Sequence, residues 1–490
     1  KIFVSLLPFF ILFFVSIPTF KNLARPGYFP MHDDMQAMRL LQMDKCIQDG
    51  QIPCRWVPDM GYGYGYPQFI YYSPLPYYSM EFFHLIGFPL FTSVKIVMAL
   101  GFILAGFTMF ILARSLWGTW GGYLSAVLYL YAPYRASDLY TRGAIAEFFG
   151  MIFLPLIFWA IFQFIKKQKN IYLIFLSLSY AGLLLSHNIT TLAFTPLAII
   201  WGLSLLFYYR HFRLLKYLVL SGLLGFGLAA FFILPVIFEK QYAHLETITA
   251  GYFNYLAHFV SLKQLFLSSF WGYGSSELGP WDDLSFYLGL FHWLLPLISL
   301  LLASYFYKQK KSISLIVFLL SLFLIGSAFM AHQKSSFIWN LLPLLSFFQF
   351  PWRFLVIATF IGSLAGGAVI TYLRNKSTQM ILTLTLSLLI ILFNFNFFRP
   401  SQWVDITEEQ KFSGVSWDRQ MTISIFDYLP IFAQQPPGAP APLFPEVLSG
   451  ETAIKNYHKG SNWQSGEISV QSPNTTIQLP LFYFPGMIAK

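Results

Sequence analysis

The sequence predicts an all-α polytopic membrane protein of about eleven helical spans, followed by a small β-rich C-terminal module. Three observations carry this. Of the 490 residues, 56% are hydrophobic and only 11% charged, too little polar surface to enclose a soluble core of that length. The apolar residues, 55 Phe among them, gather in runs of about 18–25, the length that crosses a hydrocarbon layer as a helix. The basic residues sit in short clusters between those runs, which is how a membrane protein fixes its orientation.

The spans fall at about 2–20, 92–115, 119–134, 144–165, 171–187, 190–209, 216–237, 285–307, 312–331, 352–373 and 379–397. The first run lacks a small-residue cleavage site and reads as a retained span. Every second connection is short and basic: Lys166, Lys167 and Lys169; Arg210, Arg213 and Lys216; Lys308, Lys310 and Lys311; Arg374 and Lys376, with Arg114 beside a very short turn. These connections belong in the cytoplasm together with the N-terminus, so the C-terminus lies outside a cell (plasma or inner) membrane. The net charge of +10 resides in these clusters and is not a nucleic-acid signature.

The apolar stretch 76–88 is too short for a further crossing, and counting it would invert every later cluster. It reads as a helix in the outer interface. The expected organisation is a membrane domain over 1–397, with 21–91 as its first outer loop, and an outer module over 398–490. The tail has Pro clusters at 434–442 and alternating stretches at 467–471 and 475–479 that predict half-buried strands. Both chain ends read as trimmed.

The first outer loop carries the strongest signal. After Pro30-Met31-His32-Asp33-Asp34-Met35, apolar residues at helical spacing run to Ile47, and Gly50 follows. This predicts an amphipathic helix on the outer leaflet, with Asp33 or Asp34 at its N-cap and Gly50 past its end. A carboxylate there is held ionised by the helix dipole and could act as a general base or bind a divalent cation. The same placement serves a plain capping role. Downstream, Arg55-Trp56 leads into a Gly-Tyr run that includes Tyr64 and Tyr66, and Tyr72 follows. Aromatic faces suit sugar rings, although a Tyr-rich belt is also usual at a membrane surface. No strand precedes these glycines and no helix follows, so they are not a dinucleotide fingerprint. Cys46 and Cys54, the only cysteines, both fall in this loop; an oxidising exterior permits their disulfide, and the sequence leaves the pairing open.

His32-Asp33-Asp34, Arg55-Trp56, the Gly-Tyr-Gly-Tyr-Pro run and Ser73-Pro74-Leu75-Pro76-Tyr77-Tyr78 resemble bacterial membrane proteins of the GT-C glycosyltransferase superfamily. More narrowly, they resemble the YfhO-like group and the group labelled pyruvoyl-tetrahydropterin-synthase-related. Tyr131-Ala132-Pro133-Tyr134-Arg135, Ser186-His187-Asn188, Gln349-Phe350-Pro351-Trp352-Arg353, Asp427-Tyr428-Leu429-Pro430 and Phe484-Pro485-Gly486 extend the resemblance over nearly the whole chain. The label implies no pterin chemistry, since nothing here resembles a soluble pterin enzyme. The resemblance implies a GT-C-like helix bundle with an extracytoplasmic active site and a sugar donor carried on polyprenyl phosphate. It also implies an acidic residue of the first outer loop as base: Asp33 first, Asp34 second.

A phosphate leaving group needs its charge neutralised, and Arg353, Arg135, Arg142 and Arg55 all fall on the outer side. The alternative for any one of them is an ordinary lipid headgroup contact. Glu147 begins a span, where an ionisable group is costly and lines a cavity or pairs with Arg142 or Arg135. His32, Tyr64, Tyr66, Tyr72, Glu147, His187 and Trp352 are the expected substrate-lining residues. A metal is left open, with Mg or Mn as the divalent cations the chemistry admits. The expected partners are membrane lipid, a polyprenyl-phosphate sugar donor and a cell-envelope glycan, lipid or protein acceptor, without nucleic acid. A lipid or glycan transporter or flippase is the second reading, disfavoured by the scarcity of mid-span charges. A non-catalytic envelope scaffold is the third.

Overall fold

Apolar runs without internal polar breaks satisfy their backbone only as helices, and the computed structural model, which describes residues 2–279 and 281–490, is mainly helical. Seven helices among the described residues are long and apolar enough to cross a membrane, or eight if the bent pair within 212–238 is one span. Ile171–Ser186 and Leu290–Tyr305 are apolar but shorter. The chain is a multi-pass membrane protein. It forms two compact units, residues 1–34, 95–229 and 251–404 in one and 35–94, 230–250 and 405–490 in the other. This grouping joins most of the first outer loop to the tail and so cuts across the expected boundary at 397.

In the helical unit, similar apolar runs take very different positions. The span Pro351–Tyr372 is 94% buried, whereas Leu6–Ala24 and Lys376–Phe397 are each 22% buried. The first is the centre of the bundle and the other two its rim. Around the centre, the Phe158 ring stacks on Trp201 at 5.0 Å and meets Phe360 edge-on at 5.1 Å. The indoles are satisfied by helix carbonyls, Trp201 Nε1 donating to Phe158 at 3.1 Å and Trp117 Nε1 to Leu364 at 2.8 Å. Buried indole N–H groups require such partners.

The continuous helix Leu90–Leu130 doubles back at Gly118, whose φ of 78° and ψ of −178° only glycine adopts without strain. The Phe110 ring accordingly packs on Tyr123 at 4.9 Å. This is the short turn beside Arg114 that separates the expected second and third spans.

The mixed unit contains the helix Gln36–Gln48, which starts at an N-cap Met35 with no side-chain cap. The N-cap is thus one residue beyond Asp34. Gln36, Ala37, Met38, Arg39, Leu40, Gln42, Met43, Asp44 and Cys46 are all buried, so the helix has no broad face free to lie on lipid. Its polar groups find partners inside the unit: Gln42 Nε2 and Lys45 Nζ both donate to Asp59 Oδ2 at 2.6 Å. Cys46 and Cys54 are joined in a disulfide. The helix Leu75–Leu85 buries Pro76, Tyr77, Met80 and Glu81 and leaves Phe82 and Leu85 exposed.

The tail is partly β. Strands β1 (Glu446–Ser449) and β4 (Thr476–Gln478) pair antiparallel, as do β2 (Thr452–Lys459) and β3 (Gln464–Val470). β3 and β4 fall on the two alternating stretches. The Gly-Tyr loop packs within this unit. Tyr64 stacks on Phe482 at 5.4 Å, and Phe482 N donates to the Tyr64 carbonyl at 2.9 Å.

Candidate functional site

Within the helical unit, the chain after the first span passes beside the segment that joins Leu130 to Ile145. His32 N donates to the Thr141 carbonyl at 3.0 Å and Asp33 N to the Arg142 carbonyl at 2.9 Å. Gly143 makes this approach possible. Its φ is 67°, and a Cβ there would overlap Met31 and come within 3.1 Å of the Asp33 carbonyl oxygen. The His32 ring takes its place through Nε2 and the Tyr273 carbonyl, 2.9 Å apart.

Residues Ser137–Arg142 form a π-helical turn, a wide geometry that recurs at functional sites. It carries Asp138 and Arg142 one turn apart, where they form an ion pair. Arg142 then grips Glu147 with both terminal nitrogens, Nη1 to Oε1 at 3.0 Å and Nη2 to Oε2 at 3.2 Å. Tyr134 donates its hydroxyl to Glu147 Oε1 at 2.6 Å and accepts from Arg142 Nη1 at 3.1 Å. The Trp352 ring lies against the Arg142 guanidinium at 4.5 Å, and its Nε1 donates to Ser276 Oγ at 3.2 Å.

Arg353 approaches Glu147 from another helix, with Nε 3.5 Å from Oε2. One Nη of Arg353 donates to the Phe348 carbonyl at 3.0 Å; the other has no hydrogen bond among the described residues. Arg353 is 15% exposed, against 8% for Arg142 and 0% for Asp138, so it is the cation of the cluster that a ligand could still reach. His187 is an electrostatic neighbour of Glu147, Arg353 and Arg142. Its Nδ1 faces Thr190 Oγ1 at 2.7 Å. Ser137 Oγ, Asp138 Oδ2 and Thr141 Oγ1 are buried on the turn without a hydrogen-bond partner among the described residues.

The structure therefore gathers Arg142, Glu147, His187, Trp352 and Arg353 into one cluster and runs the backbone of His32 and Asp33 beside its Thr141–Arg142 turn. Among the described residues Arg135 makes no hydrogen bond or ion pair with them and touches the cluster only as an electrostatic neighbour of Asp138. It is wholly buried, donates to the Gly101 carbonyl at 2.9 Å and sits among the rings of Phe148, Tyr129 and Phe102 at 4.7, 5.0 and 5.3 Å. Arg55, Tyr64, Tyr66 and Tyr72 belong to the mixed unit. There Arg55 donates to the Phe231 carbonyl at 3.3 Å, Tyr66 to the Ser424 carbonyl at 2.8 Å, and Tyr72 faces Arg39 at 4.2 Å. Sequence reasoning missed Tyr134 and Asp138 as members of the cluster, although the Asp138–Arg142 spacing of four was the available signal. Among the described residues no three His, Cys, Asp or Glu side chains are placed to hold a metal ion.

This bundle, with its charge cluster at the span ends, defines a polytopic membrane protein. Residues 69–398 match the family described as 6-pyruvoyl-tetrahydropterin synthase related domain, membrane protein, and the chain belongs to that family. An uncharacterized protein of Lactococcus lactis subsp. cremoris (strain MG1363) is 24% identical over 256 residues, which is 50% of this chain and 39% of that protein. Among solved structures, the arabinofuranosyltransferase AftD from mycobacteria matches with a TM-score of 0.54 at 11% identity, covering 82% of this chain and 27% of its own. The oligosaccharyltransferase AglB from Archaeoglobus fulgidus gives 0.47 at 12% identity over 80% of this chain and 55% of its own. The chain thus spans well under half the length of both the Lactococcus protein and AftD.

Proposed function

We propose that the chain is a membrane glycosyltransferase that moves a sugar from a polyprenyl-phosphate donor to a cell-envelope acceptor on the extracytoplasmic side. The observation that carries this reading is the backbone pairing of residues 32–33 with 141–142. It sets an acidic segment beside the turn whose Arg142 shares Glu147 with Arg353. The fold it shares with an arabinofuranosyltransferase supports the same class.

In this mechanism Asp33 accepts the proton of an acceptor hydroxyl as that oxygen attacks the anomeric carbon. The bond from the anomeric carbon to the phosphate oxygen breaks, and the open Nη of Arg353 receives the departing phosphate. Glu147 is a positioning residue: it holds Arg353 and Arg142 in fixed orientation without touching substrate. The N-terminus lies in the cytoplasm in this reading, because the short basic connections then all face inward.

The test is transfer from synthetic polyprenyl-phosphate sugars by the purified chain in lipid nanodiscs. Asp33→Asn should lower kcat by about 100-fold or more, the usual share of a general base, with donor KM little changed. Full transfer by that variant, or transport of the lipid without transfer by the natural chain, overturns the assignment.

A further inference from the structure

Gln163 lies on the helix Phe153–Lys167 and is 6% exposed, yet its Oε1 has no hydrogen-bond partner among the described residues. Leaving a buried amide oxygen so is costly. Gln163 lines a cavity of about 270 Å³ together with Phe9, Phe110, Ile111, Arg114, Ser115 and Trp159. None of these residues belongs to the cluster around Glu147.

The lining is graded in polarity. Phe9 and Phe110 meet edge to face at 5.8 Å and, with Ile111, make one side apolar. Arg114, Ser115 and Gln163 make the other side polar. Arg114 is exposed and has no carboxylate partner among the described residues. The Ser115 hydroxyl donates to the Leu112 carbonyl at 2.6 Å and keeps its capacity to accept. Lys166 and Lys167 follow Gln163 by three and four positions on the same helix, which puts them on the same face one turn further on.

We propose that this cavity binds an anionic glycerophospholipid. The phosphate would lie on Arg114, a headgroup hydroxyl would donate to Gln163 Oε1, and an acyl chain would run along Phe9 and Phe110. Each feature excludes a different occupant. A free phosphate leaves the apolar side unfilled. A zwitterionic choline headgroup brings a cation to a basic rim and offers no hydroxyl. An isoprenyl phosphate has no headgroup beyond the phosphate itself, so one group would have to serve both Arg114 and Gln163. The site is independent of the proposed transfer reaction.

Native mass spectrometry of the full chain in mild detergent tests this. Phosphatidylglycerol, phosphatidylcholine and undecaprenyl phosphate are added at equal concentration. Phosphatidylglycerol should be retained about five- to tenfold over phosphatidylcholine, the size of one net hydrogen bond between neutral groups. Arg114→Ala should abolish that preference and Gln163→Leu reduce it. The leucine fills similar volume without a polar atom, so it reports even where the Arg114 variant folds poorly. Equal retention of the two glycerolipids, a preference unchanged in both variants, or stronger retention of undecaprenyl phosphate would each overturn the proposal.

Discussion

The amide of Asp33 donates to the carbonyl of Arg142 at 2.9 Å, so the proposed base and the buried cation are tied through main chain rather than through side chains. Side-chain substitutions leave that tie intact, whereas Gly143 controls it. Gly143→Ala places a Cβ against Met31 and strains a φ of 67°, costing about 1–2 kcal/mol. A shift of the segment by ~1 Å would lower kcat about 100-fold. We expect Gly143→Ala to fold, to bind donor and to turn over slowly. Unchanged kcat would show that the segment's position is irrelevant to the chemistry.

Glu147 is the shared anion of two guanidiniums, and it is 1% exposed. Its removal leaves Arg142 and Arg353 buried with insufficient counter-charge. Glu147→Ala should cost about 3–5 kcal/mol, read as a lowered Tm and poor yield in detergent. Replacing Glu147 and Arg353 together by Met should recover part of that loss, because the unpaired charge disappears with its partner. A double variant no better than the single one would contradict this account of the pair.

Glu81 is 2% exposed, and neither of its carboxyl oxygens has a hydrogen-bond partner among the described residues. Burial, then the Asp44 charge, raises the group from 4.5 to about 7, with His84 acting in the opposite direction. The folded chain therefore keeps a proton that the unfolded chain has released above pH 4.5. Stability falls as pH rises from about 4.5 to about 7 and stays reduced above that. Glu81→Gln should be more stable than the natural chain by about 1–2 kcal/mol at pH 8 and equal to it near pH 4.5. A difference that is the same at both pH values would rule out the titration of Glu81 as its cause.

Gly118 turns the helix Leu90–Leu130 back on itself, and a Cβ there meets nothing within 4 Å. The demand is purely conformational. Gly118→Val should cost about 1–3 kcal/mol. Gly222→Ala, on a helix with equally open surroundings, should be neutral or slightly stabilising through helix propensity. Equal losses of Tm in the two variants would contradict a cost that comes from backbone strain at Gly118.

Several of these features were legible in the sequence. The seven long apolar helices follow from unbroken apolar runs, and Arg114 beside a short turn marked the hairpin at Gly118. The strands β3 and β4 follow from alternation. The exposed or buried fate of each span was not legible, because Pro351–Tyr372 and Lys376–Phe397 have equally apolar composition and differ only in what packs around them. In the candidate site, Arg142, Glu147 and Arg353 were identifiable as charges at span ends, but Arg135 looked equivalent to them. Only the aromatic cage of Phe102, Tyr129 and Phe148 distinguishes it. Asp33 was legible as an acidic residue just before a helix, but its amide reaches a loop more than a hundred residues along the chain, a pairing that no local pattern encodes. The tyrosines of the Gly-Tyr loop looked like sugar platforms, yet Tyr66 is 1% exposed with its hydroxyl on the Ser424 carbonyl.

That last contact closes over 358 residues. At bacterial synthesis rates, Ser424 leaves the ribosome about 20–70 s after Tyr66. Throughout that interval the helix Gln36–Gln48 and the Gly-Tyr loop are outside the ribosome without the chain segment that covers them. The newborn protein thus has a prolonged adolescence in which its earliest-made aromatic surface is open to insertion machinery, chaperones and proteases alike. Survival of the molecule depends on how that waiting period is guarded as much as on the stability of the finished fold.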